Sequence, residues 1–308
     1  MYLEHWGLRE FPFSNVPDSR FLYPSASHRE SLARLVYLCV HQHGAGVLVG
    51  PFGSGKTLLA YALLNSINQE DKFRHAFVQN PRLSPLELLQ LIARDLAVAT
   101  APKTKSEALT AIESQLHHNI LDGRHTLILI DEAHSIESED TFEEVRLLLN
   151  FQLEDAYLLT LLLIGQPGIE AKIDQHKPLA QRISLVTRLQ ALAPAETDGY
   201  IRHRLQVAGR KEKVFQPDAV GAIHRISGGL PRRINHLCDG SLLEGFLAGA
   251  AQVDTETVMR AARAQRLTPQ TGHTEAPPQP GPPQFGGTAA SGLRPPARKL
   301  PHEAPPEG

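Results

Sequence analysis

The sequence predicts an α/β fold in which a parallel sheet with flanking helices is followed by a small all-helical region. Two observations carry this expectation. Short apolar runs alternate with helix-like segments over residues 46–192, which is the pattern of a parallel sheet. From about residue 193 the strand-like runs stop, and helix-like segments continue to about residue 267. We therefore expect an α/β core at 46–192 and a helical lid at 193–267.

The composition excludes several classes of protein. With 308 residues, 42% hydrophobic and 21% charged, the chain is typical of a globular protein, and its net charge of −2 argues against nucleic-acid binding by bulk positive charge. Two cysteines are too few for a disulfide framework or a metal cluster. The longest apolar run, residues 158–164, is too short to cross a bilayer, and the N-terminus lacks a signal peptide. These features predict a cytoplasmic protein without a transmembrane segment, which a partner could hold peripherally at the inner membrane.

Residues 1–45 are predicted to form an irregular segment and one helix that pack on the core. The first 24 residues are rich in aromatic residues and prolines, without the period of a helix or a strand. The sequence Ser-His-Arg-Glu at residues 27–30 has the form of a capping box, so we expect the helix to start there.

A phosphate-binding loop at residues 50–57 is the most informative motif. It reads Gly-Pro-Phe-Gly-Ser-Gly-Lys-Thr, a complete G-x-x-x-x-G-K-S/T pattern directly after the strand-like run 46–49. A chance glycine-rich turn is the alternative, but the preceding strand and the following helix argue against it. Glycines let the backbone N–H groups curl around a phosphate, which the positive end of the next helix also favours.

Each residue of this loop has an expected contact. Lys56 should reach the β- and γ-phosphates of a nucleotide, and the Thr57 hydroxyl should ligate Mg²⁺. The residues expected to bind the nucleotide are Gly50, Pro51, Phe52, Gly53, Ser54, Gly55, Lys56, Thr57 and Leu58.

A second motif, about 75 residues further on, indicates the chemistry. Residues 126–130 form an apolar run typical of a strand buried on both faces, and the run ends in Asp131 and Glu132. Asp131 is positioned to hold Mg²⁺ beside the phosphate loop, and Glu132 to deprotonate an attacking water. Alone, the pair could be a polar turn after a strand. Together with the loop it predicts hydrolysis, with ATP and Mg²⁺ as the ligands.

Turn and period signals place the remaining elements. Further strands are expected near residues 75–79, 158–164 and 185–189, and the sequence from Ser84 to Glu87 predicts a capped helix. Four helices are expected in the lid, at residues 196–207, 217–226, 231–248 and 254–265. Residues 268–308 are rich in proline and glycine and poor in apolar residues, so we predict a disordered tail.

Eight short stretches spread over about residues 1–260 carry a family resemblance. They are residues 2–8, 12–13, 17–23, 27–35, 147–151, 163–167, 178–183 and 227–235. In these stretches the chain resembles an AAA+ ATPase, and more narrowly the ATPase domain of the general secretion pathway protein A (ExeA-type) family. The resemblance implies a nucleotide-binding core whose helical lid closes on the nucleotide.

The resemblance also implies roles for three further residues. Gln166 matches the polar residue that senses the γ-phosphate after the fourth strand. Arg232 resembles the second sensor in the lid, with Arg233 as the alternative. Arg182 matches the arginine finger that a neighbouring subunit supplies, with Arg188 as the alternative. A finger of this kind implies a homo-oligomer with the nucleotide at the subunit interface.

The pathway stays open at this point. ExeA-type proteins serve a secretion or pilus-type envelope system, which implies an envelope-assembly partner, but their longer members continue into a transmembrane helix and a peptidoglycan-binding domain where this sequence has its Pro-rich tail. The same core resembles transposition helper ATPases, which assemble on DNA, and the lid is richer in basic than in acidic residues. A nucleotide-gated switch with little turnover is the third alternative.

Overall fold

The computed structural model describes residues 2–68, 71–154 and 156–267. The predicted Pro/Gly-rich tail, residues 268–308, lies outside the described residues. Among the helices of the described part, none combines the length and the hydropathy that a membrane crossing requires.

Five strands pair in parallel in the order β2-β3-β4-β1-β5. Their bounds are β1 Ala45–Val49, β2 Phe73–Val78, β3 His125–Ile130, β4 Leu159–Gly165 and β5 Ile183–Arg188. Every residue of β1, β3 and β4 is buried, which explains why their sequences are mostly apolar rather than alternating; His125, Thr126 and Thr160 are the buried polar exceptions. Because parallel strands end at one edge, β1, β3 and β4 deliver the residues that follow them to the same side of the sheet.

Helices cover both faces of this sheet. Their bounds are α2 Ala26–Val40, α3 Lys56–Ile67, α4 Pro85–Asp95, α5 Lys105–Leu121, α6 Glu139–Leu148, α7 Gly168–Gln175 and α8 Lys177–Ala180. A short helix before them, α1 Tyr2–His5, belongs to the N-terminal segment described below. On β3, Leu127 and Leu129 pack with α2 and α3, whereas Ile128 and Ile130 pack with α4, α5 and α6. The strand thus supplies alternate side chains to two apolar clusters. The predicted α/β class with a parallel sheet is confirmed.

Four further helices form the helical region. They are α9 Pro194–Val207, α10 Pro217–Ser227, α11 Pro231–Leu247 and α12 Thr255–Ala264, each within two residues of its predicted bounds. Prolines start α9, α10 and α11, where the missing N–H has no helical partner to lose. The Asp254 side chain caps α12 by accepting the Thr257 N–H at 2.8 Å.

The N-terminal segment packs elsewhere than the sequence led us to expect. Trp6, Phe13 and Phe21 are buried in the apolar cluster of the helical region rather than on the α/β core, whereas Phe11 is exposed. The Trp6 indole N–H donates to the Leu242 carbonyl at 2.9 Å, and a Cβ added to Gly245 would lie 2.8 Å from the indole ring. The absence of a side chain at Gly245 therefore allows the Trp6 ring to pack against α11.

The helix α2, in contrast, packs on α3 and the sheet as expected, but it starts earlier. Its N-cap is Ser25, whose hydroxyl accepts the His28 N–H at 3.3 Å, so the predicted capping box at Ser27 is wrong. The predicted capping box at Ser84 and Glu87 is present at the start of α4.

A buried histidine makes the stability of this core depend on pH. His125 in β3 is 2% exposed; its Nε2 lies 2.9 Å from the Thr160 hydroxyl, and its Nδ1 has no partner within the described residues. Burial lowers the pKa of His125 to about 4. The unfolded chain has a value of about 6.5, so between these values the unfolded state holds a proton that the folded state lacks.

We therefore expect acid to destabilise the protein through this residue. The free energy of unfolding should fall as the pH drops from about 6.5 towards 4, by at most about 1.4 kcal/mol per pH unit. In urea titrations at pH 7 and pH 5, His125→Gln should lose about 2 kcal/mol less than the wild type. His118→Gln, at an exposed position, is the matched control and should behave as the wild type. Equal pH dependence of His125→Gln and the wild type would contradict this account.

Candidate functional site

The candidate site lies where β1, β3 and β4 end. The loop that follows β1 has two glycines with positive φ, Gly53 at 78° and Gly55 at 97°. A Cβ added to Gly53 would lie 2.7 Å from the Cβ of Arg232 in α11. Glycine is thus required at this position both by the backbone and by the close approach of the helical region.

The start of α3 is suited to bind an anion. The helix begins at Lys56 with Gly55 as its N-cap, and no side chain of the described residues caps it. Its first N–H groups therefore have no intrahelical or side-chain acceptor, and the helix dipole adds positive potential. The Ser54 N–H is turned back to the Pro51 carbonyl at 3.2 Å, and the Ser54 hydroxyl is buried. Together, loop and helix fit a phosphate group.

The lysine of the loop is buried. Lys56 Nζ donates to the carbonyls of Gly50 at 3.0 Å and Pro51 at 3.1 Å. Burial lowers the pKa of Lys56, while the charges of Glu132 and Asp131 act in the opposite direction. An ammonium has three donors, so one remains for a ligand.

The two predicted Mg²⁺ ligands touch each other. The Thr57 hydroxyl donates to Asp131 Oδ2 at 2.5 Å, and the Glu132 N–H donates to Asp131 Oδ1 at 2.8 Å. Burial raises the pKa of Asp131, whereas these two hydrogen bonds lower it. A hydroxyl and one carboxylate suit Mg²⁺, which usually takes few protein ligands and keeps waters or phosphate oxygens.

The predicted base has an uncommon backbone conformation. Glu132 has φ 52° and ψ 30°, the left-handed region, which costs about 1–3 kcal/mol for a residue with a side chain. Its side chain is 39% exposed and lines the cavity described below. Strain of this kind persists where the surroundings impose it, and here the flanking strand end and the Asp131 contact do so.

A histidine that sequence reasoning missed joins the predicted base to the predicted sensor. The Gln166 N–H donates to His134 Nδ1 at 3.3 Å, so the proton of a neutral ring lies on Nε2. That nitrogen is 3.5 Å from Glu132 Oε2 and 2.9 Å from Gln166 Nε2. Rotation of the Gln166 side-chain amide by 180° would present its oxygen as the acceptor of the His134 Nε2 proton. Gln166 thus lies one residue beyond β4, in contact with His134. The only signal in the sequence was that His134 is two residues from Glu132.

The helical region reaches the loop through Arg232. Its N–H donates to the Gly53 carbonyl at 3.2 Å, and its guanidinium lies over the Phe52 ring at 4.8 Å, a cation–π contact. Arg233 instead donates to the Ile226 carbonyl at 2.8 Å, within the helical region. The structure therefore brings Arg232, and not Arg233, to the loop.

A cavity of about 350 Å³ lies between the loop, the N-terminal segment and the helical region. Six of the predicted loop residues line it: Phe52, Gly53, Gly55, Lys56, Thr57 and Leu58. Its opposite wall is formed by residues 14–17, Tyr200, Arg204 and Asn235. Arg204 is buried and donates to the Ser14 carbonyl and the Tyr200 hydroxyl, each at 2.8 Å. The volume lies in the range of small-molecule sites.

Two predicted arginines lie away from this cavity. Arg182 donates to the Leu149 carbonyl at 2.6 Å, and Arg188 forms an ion pair with Glu170. A residue that acts on a neighbouring subunit does not line the cavity of its own chain, so the finger stays a prediction.

Sequence reasoning also missed His28, which forms a hydrogen bond with the backbone of the phosphate loop. The Ser25 hydroxyl lies 2.7 Å from His28 Nδ1, and His28 Nε2 donates to the Ser54 carbonyl at 3.1 Å. Two residues before His28, the Ala26 N–H donates to the Glu196 carboxylate of α9 at 2.9 Å. The start of α2 thus contacts both the phosphate loop and the helical region, a tertiary arrangement that no local pattern reveals.

Comparison with known proteins agrees with this geometry. A family model described as an AAA domain matches residues 40–173. Together with the parallel sheet and the phosphate loop, this match identifies residues 40–173 as an AAA domain.

Among individual proteins, the chain is similar to general secretion pathway protein A of Aeromonas hydrophila. The two are 36% identical over 259 residues, which cover 82% of this chain and 46% of that protein. The resemblance inferred from the sequence is therefore confirmed, over about half the length of the relative.

Solved structures share the fold at lower identity. The ORC2 protein of Aeropyrum pernix, in ADPNP–ADP complexes, has a TM-score of 0.64 and 18% identity, covering 82% of this chain and 71% of that one. ORC1 of the same organism, in complex with DNA, has a TM-score of 0.65 and 17% identity, covering 83% and 69%. At these identities the likeness concerns the fold alone.

The contact between His28 and the loop leads to a prediction. His28→Ala removes the donor to the Ser54 carbonyl, so the affinity for ADP should fall roughly tenfold, since one buried hydrogen bond contributes about 1.4 kcal/mol. Calorimetric titration would measure it. His28→Gln, which keeps a donor, should recover part of the affinity, and the exposed His117→Ala should change nothing. A folded His28→Ala protein with wild-type affinity would show that the contact does not hold the loop.

Proposed function

We propose that this chain binds and hydrolyses ATP with Mg²⁺, as a homo-oligomer that serves the assembly of a secretion or pilus-type envelope system. The observation that carries the proposal is the contact between the Thr57 hydroxyl and the buried Asp131 carboxylate, beside the loop lysine. The hydroxyl follows β1 and the carboxylate follows β3, and the two meet where a phosphate-bound metal would need both.

The loop residues would bind and orient the phosphates. The N–H groups at the start of α3 and the third donor of Lys56 point to a polyanion as the ligand. Thr57 and Asp131 would hold Mg²⁺, which, when bound, neutralises phosphate charge. Burial raises the pKa of Asp131, and the hydrogen bonds from the Thr57 hydroxyl and the Glu132 N–H oppose this by stabilising its carboxylate.

Glu132 would act as the base that takes a proton from the attacking water. Its carboxylate is part-exposed on the cavity wall, so a water molecule can reach it. His134 would hold the Glu132 carboxylate and the Gln166 amide in a fixed relation, because one ring lies within 3.5 Å of both. A change in the position of Gln166 on binding or loss of the γ-phosphate would then change the position of Glu132.

Arg232 and Arg182 would complete the site from two directions. Arg232 is kept at the cavity rim by Phe52 and by its backbone contact with Gly53, so movement of the helical region would move this charge. Arg182 would come from a neighbouring subunit and neutralise charge on the transferring phosphoryl group. A single chain would then have an incomplete site.

The pathway rests on the similarity to general secretion pathway protein A. The alternative of a DNA-associated helper has less support, because several basic residues of the helical region have other partners. Arg204 is buried against backbone carbonyls, Arg202 pairs with Asp198, and Arg233 contacts the Ile226 carbonyl.

The hydrolysis proposal is tested by removing the base and the finger separately. Glu132→Gln should still bind ATP but hydrolyse it about 10²–10⁴ times more slowly, the usual contribution of a general base. Glu137→Gln, at an exposed position, should keep the wild-type rate. Arg182→Ala should bind ATP and lose on the order of 10³-fold or more in rate, as expected for a missing finger.

Mixing the two inactive proteins tests whether the site is shared. Interfaces that combine the intact base of Arg182→Ala with the intact finger of Glu132→Gln should restore part of the turnover. Sedimentation shows whether the two proteins co-assemble. Full activity of Glu132→Gln would contradict the proposed base. Full activity of Arg182→Ala in an intact oligomer, with loss in Arg188→Ala, would move the finger to Arg188.

A further inference from the structure

A second cavity, of about 480 Å³, lies within the helical region. It forms a groove between α9 and α10, closed at one end by the connecting residues 210–215. Its floor consists of apolar side chains that are each less than a tenth exposed: Ile201, Leu205, Val214, Phe215 and Val220.

The rim of this groove is positively charged. Five cations line it: Arg202, Arg210, Lys211, Lys213 and Arg225. Two carboxylates line it as well, and each is already paired. Asp198 binds Arg202 at 2.7 Å, and Glu212 binds Arg210 at 3.2 Å. Lys211, Lys213 and Arg225 are exposed and form no ion pair within the described residues. Five cations against two carboxylates leave an excess of three positive charges, in a chain whose net charge is −2.

The groove is separate from the nucleotide cavity, and the two linings share no residue. The helix α9 turns Tyr200 and Arg204 to the nucleotide cavity, and it turns Ile201 and Leu205 to the groove. None of the roles proposed above uses a residue of the groove.

We propose that this groove binds a short acidic, amphipathic segment of a partner protein. Apolar side chains of the segment would lie on the floor, and its carboxylates would meet Lys211, Lys213 and Arg225. The wall from Pro194 to Leu205 is about 17 Å long at 1.5 Å per residue, which matches about three turns of a bound helix. A helix of that length presents one apolar face to a groove, and the surrounding charge selects its partner.

A nucleic acid fits the groove less well. Single strands are held by bases that stack on exposed aromatic rings, and the one aromatic ring of the floor, Phe215, is only 5% exposed. A phosphate backbone also gains nothing from an aliphatic floor, whereas an amphipathic peptide uses both the floor and the rim.

Gly221 in α10 allows a sharp test. It lines the groove, and a Cβ added to it would meet only Arg225, at 3.4 Å, an ordinary contact. The Cβ of Gly221→Leu therefore fits, and the rest of its side chain would occupy the groove; Gly221→Ala is the matched control, because both substitutions favour the helix. A second variant reverses the three unpaired charges of the rim to glutamate. Its control reverses three exposed cations elsewhere: Arg94, Lys103 and Arg263.

The probe is a displayed library of random 16-residue peptides, selected on the full chain. We expect enrichment of peptides in which Asp and Glu flank Leu, Ile or Phe at helical spacing. A labelled peptide from this selection should lose at least tenfold in affinity for Gly221→Leu and for the rim reversal, by fluorescence polarisation. The two controls should stay within twofold of the wild type, and added salt should weaken binding. Circular dichroism and melting temperature report the fold of each variant. If either Gly221→Leu or the rim reversal fails to fold, the affinity of the other variant tests the proposal.

Four outcomes would overturn the proposal. The selection could yield no acidic amphipathic peptides, or its peptides could bind Gly221→Leu as tightly as the wild type. A single-stranded oligonucleotide whose binding Gly221→Leu abolishes would assign the groove to nucleic acid. An oligomer that Gly221→Leu alone dissociates, measured by sedimentation without peptide, would assign it to a second copy of the chain.

Discussion

Parallel pairing of β1, β4 and β3 is the constraint on which the site depends. Because β4 lies between the other two, the phosphate loop after β1 and Asp131 after β3 lie on either side of Gln166 after β4. The residues of the site come from four segments that are far apart in sequence: residues 50–58, residues 131–134, Gln166 and Arg232. The contact between Thr57 and Asp131 therefore exists only when the sheet has formed. Burial of all three strands on both faces makes that sheet rigid.

The N-terminal segment links this rigid edge to the helical region. Arg204 of α9 binds the carbonyls of the segment, and Trp6 packs against α11. Glu196 contacts the start of α2, where His28 holds the phosphate loop. Movement of the helical region would therefore act on the loop through two contacts. One is between Arg232 and Gly53, and the other is between His28 at the start of α2 and Ser54. A nucleotide bound in the cavity would therefore be coupled to the position of the helical region, since a ligand between two bodies stabilises their closed arrangement.

The sequence was informative where local chemistry determines structure. The phosphate loop, the carboxylates after β3 and the four helices of the helical region follow from spacing, period and proline positions. Tertiary packing decided the rest. The aromatic N-terminal segment has no period that could show where it packs, and His28 and His134 act through contacts far along the chain. Arg232 and Arg233 are adjacent and lie about 100° apart on one helix, so only the docking of α11 distinguishes them.

The central claim is that the nucleotide binds between the phosphate loop and the start of α11. Hydrogen–deuterium exchange of the full chain, with and without a slowly hydrolysed ATP analogue and Mg²⁺, tests it most directly. The account predicts slower exchange in residues 50–58 and, in the same experiment, in residues 14–17 and 230–235. Lys56→Ala should show neither effect. Unchanged exchange at residues 50–58, or protection there with none at residues 230–235, would contradict it.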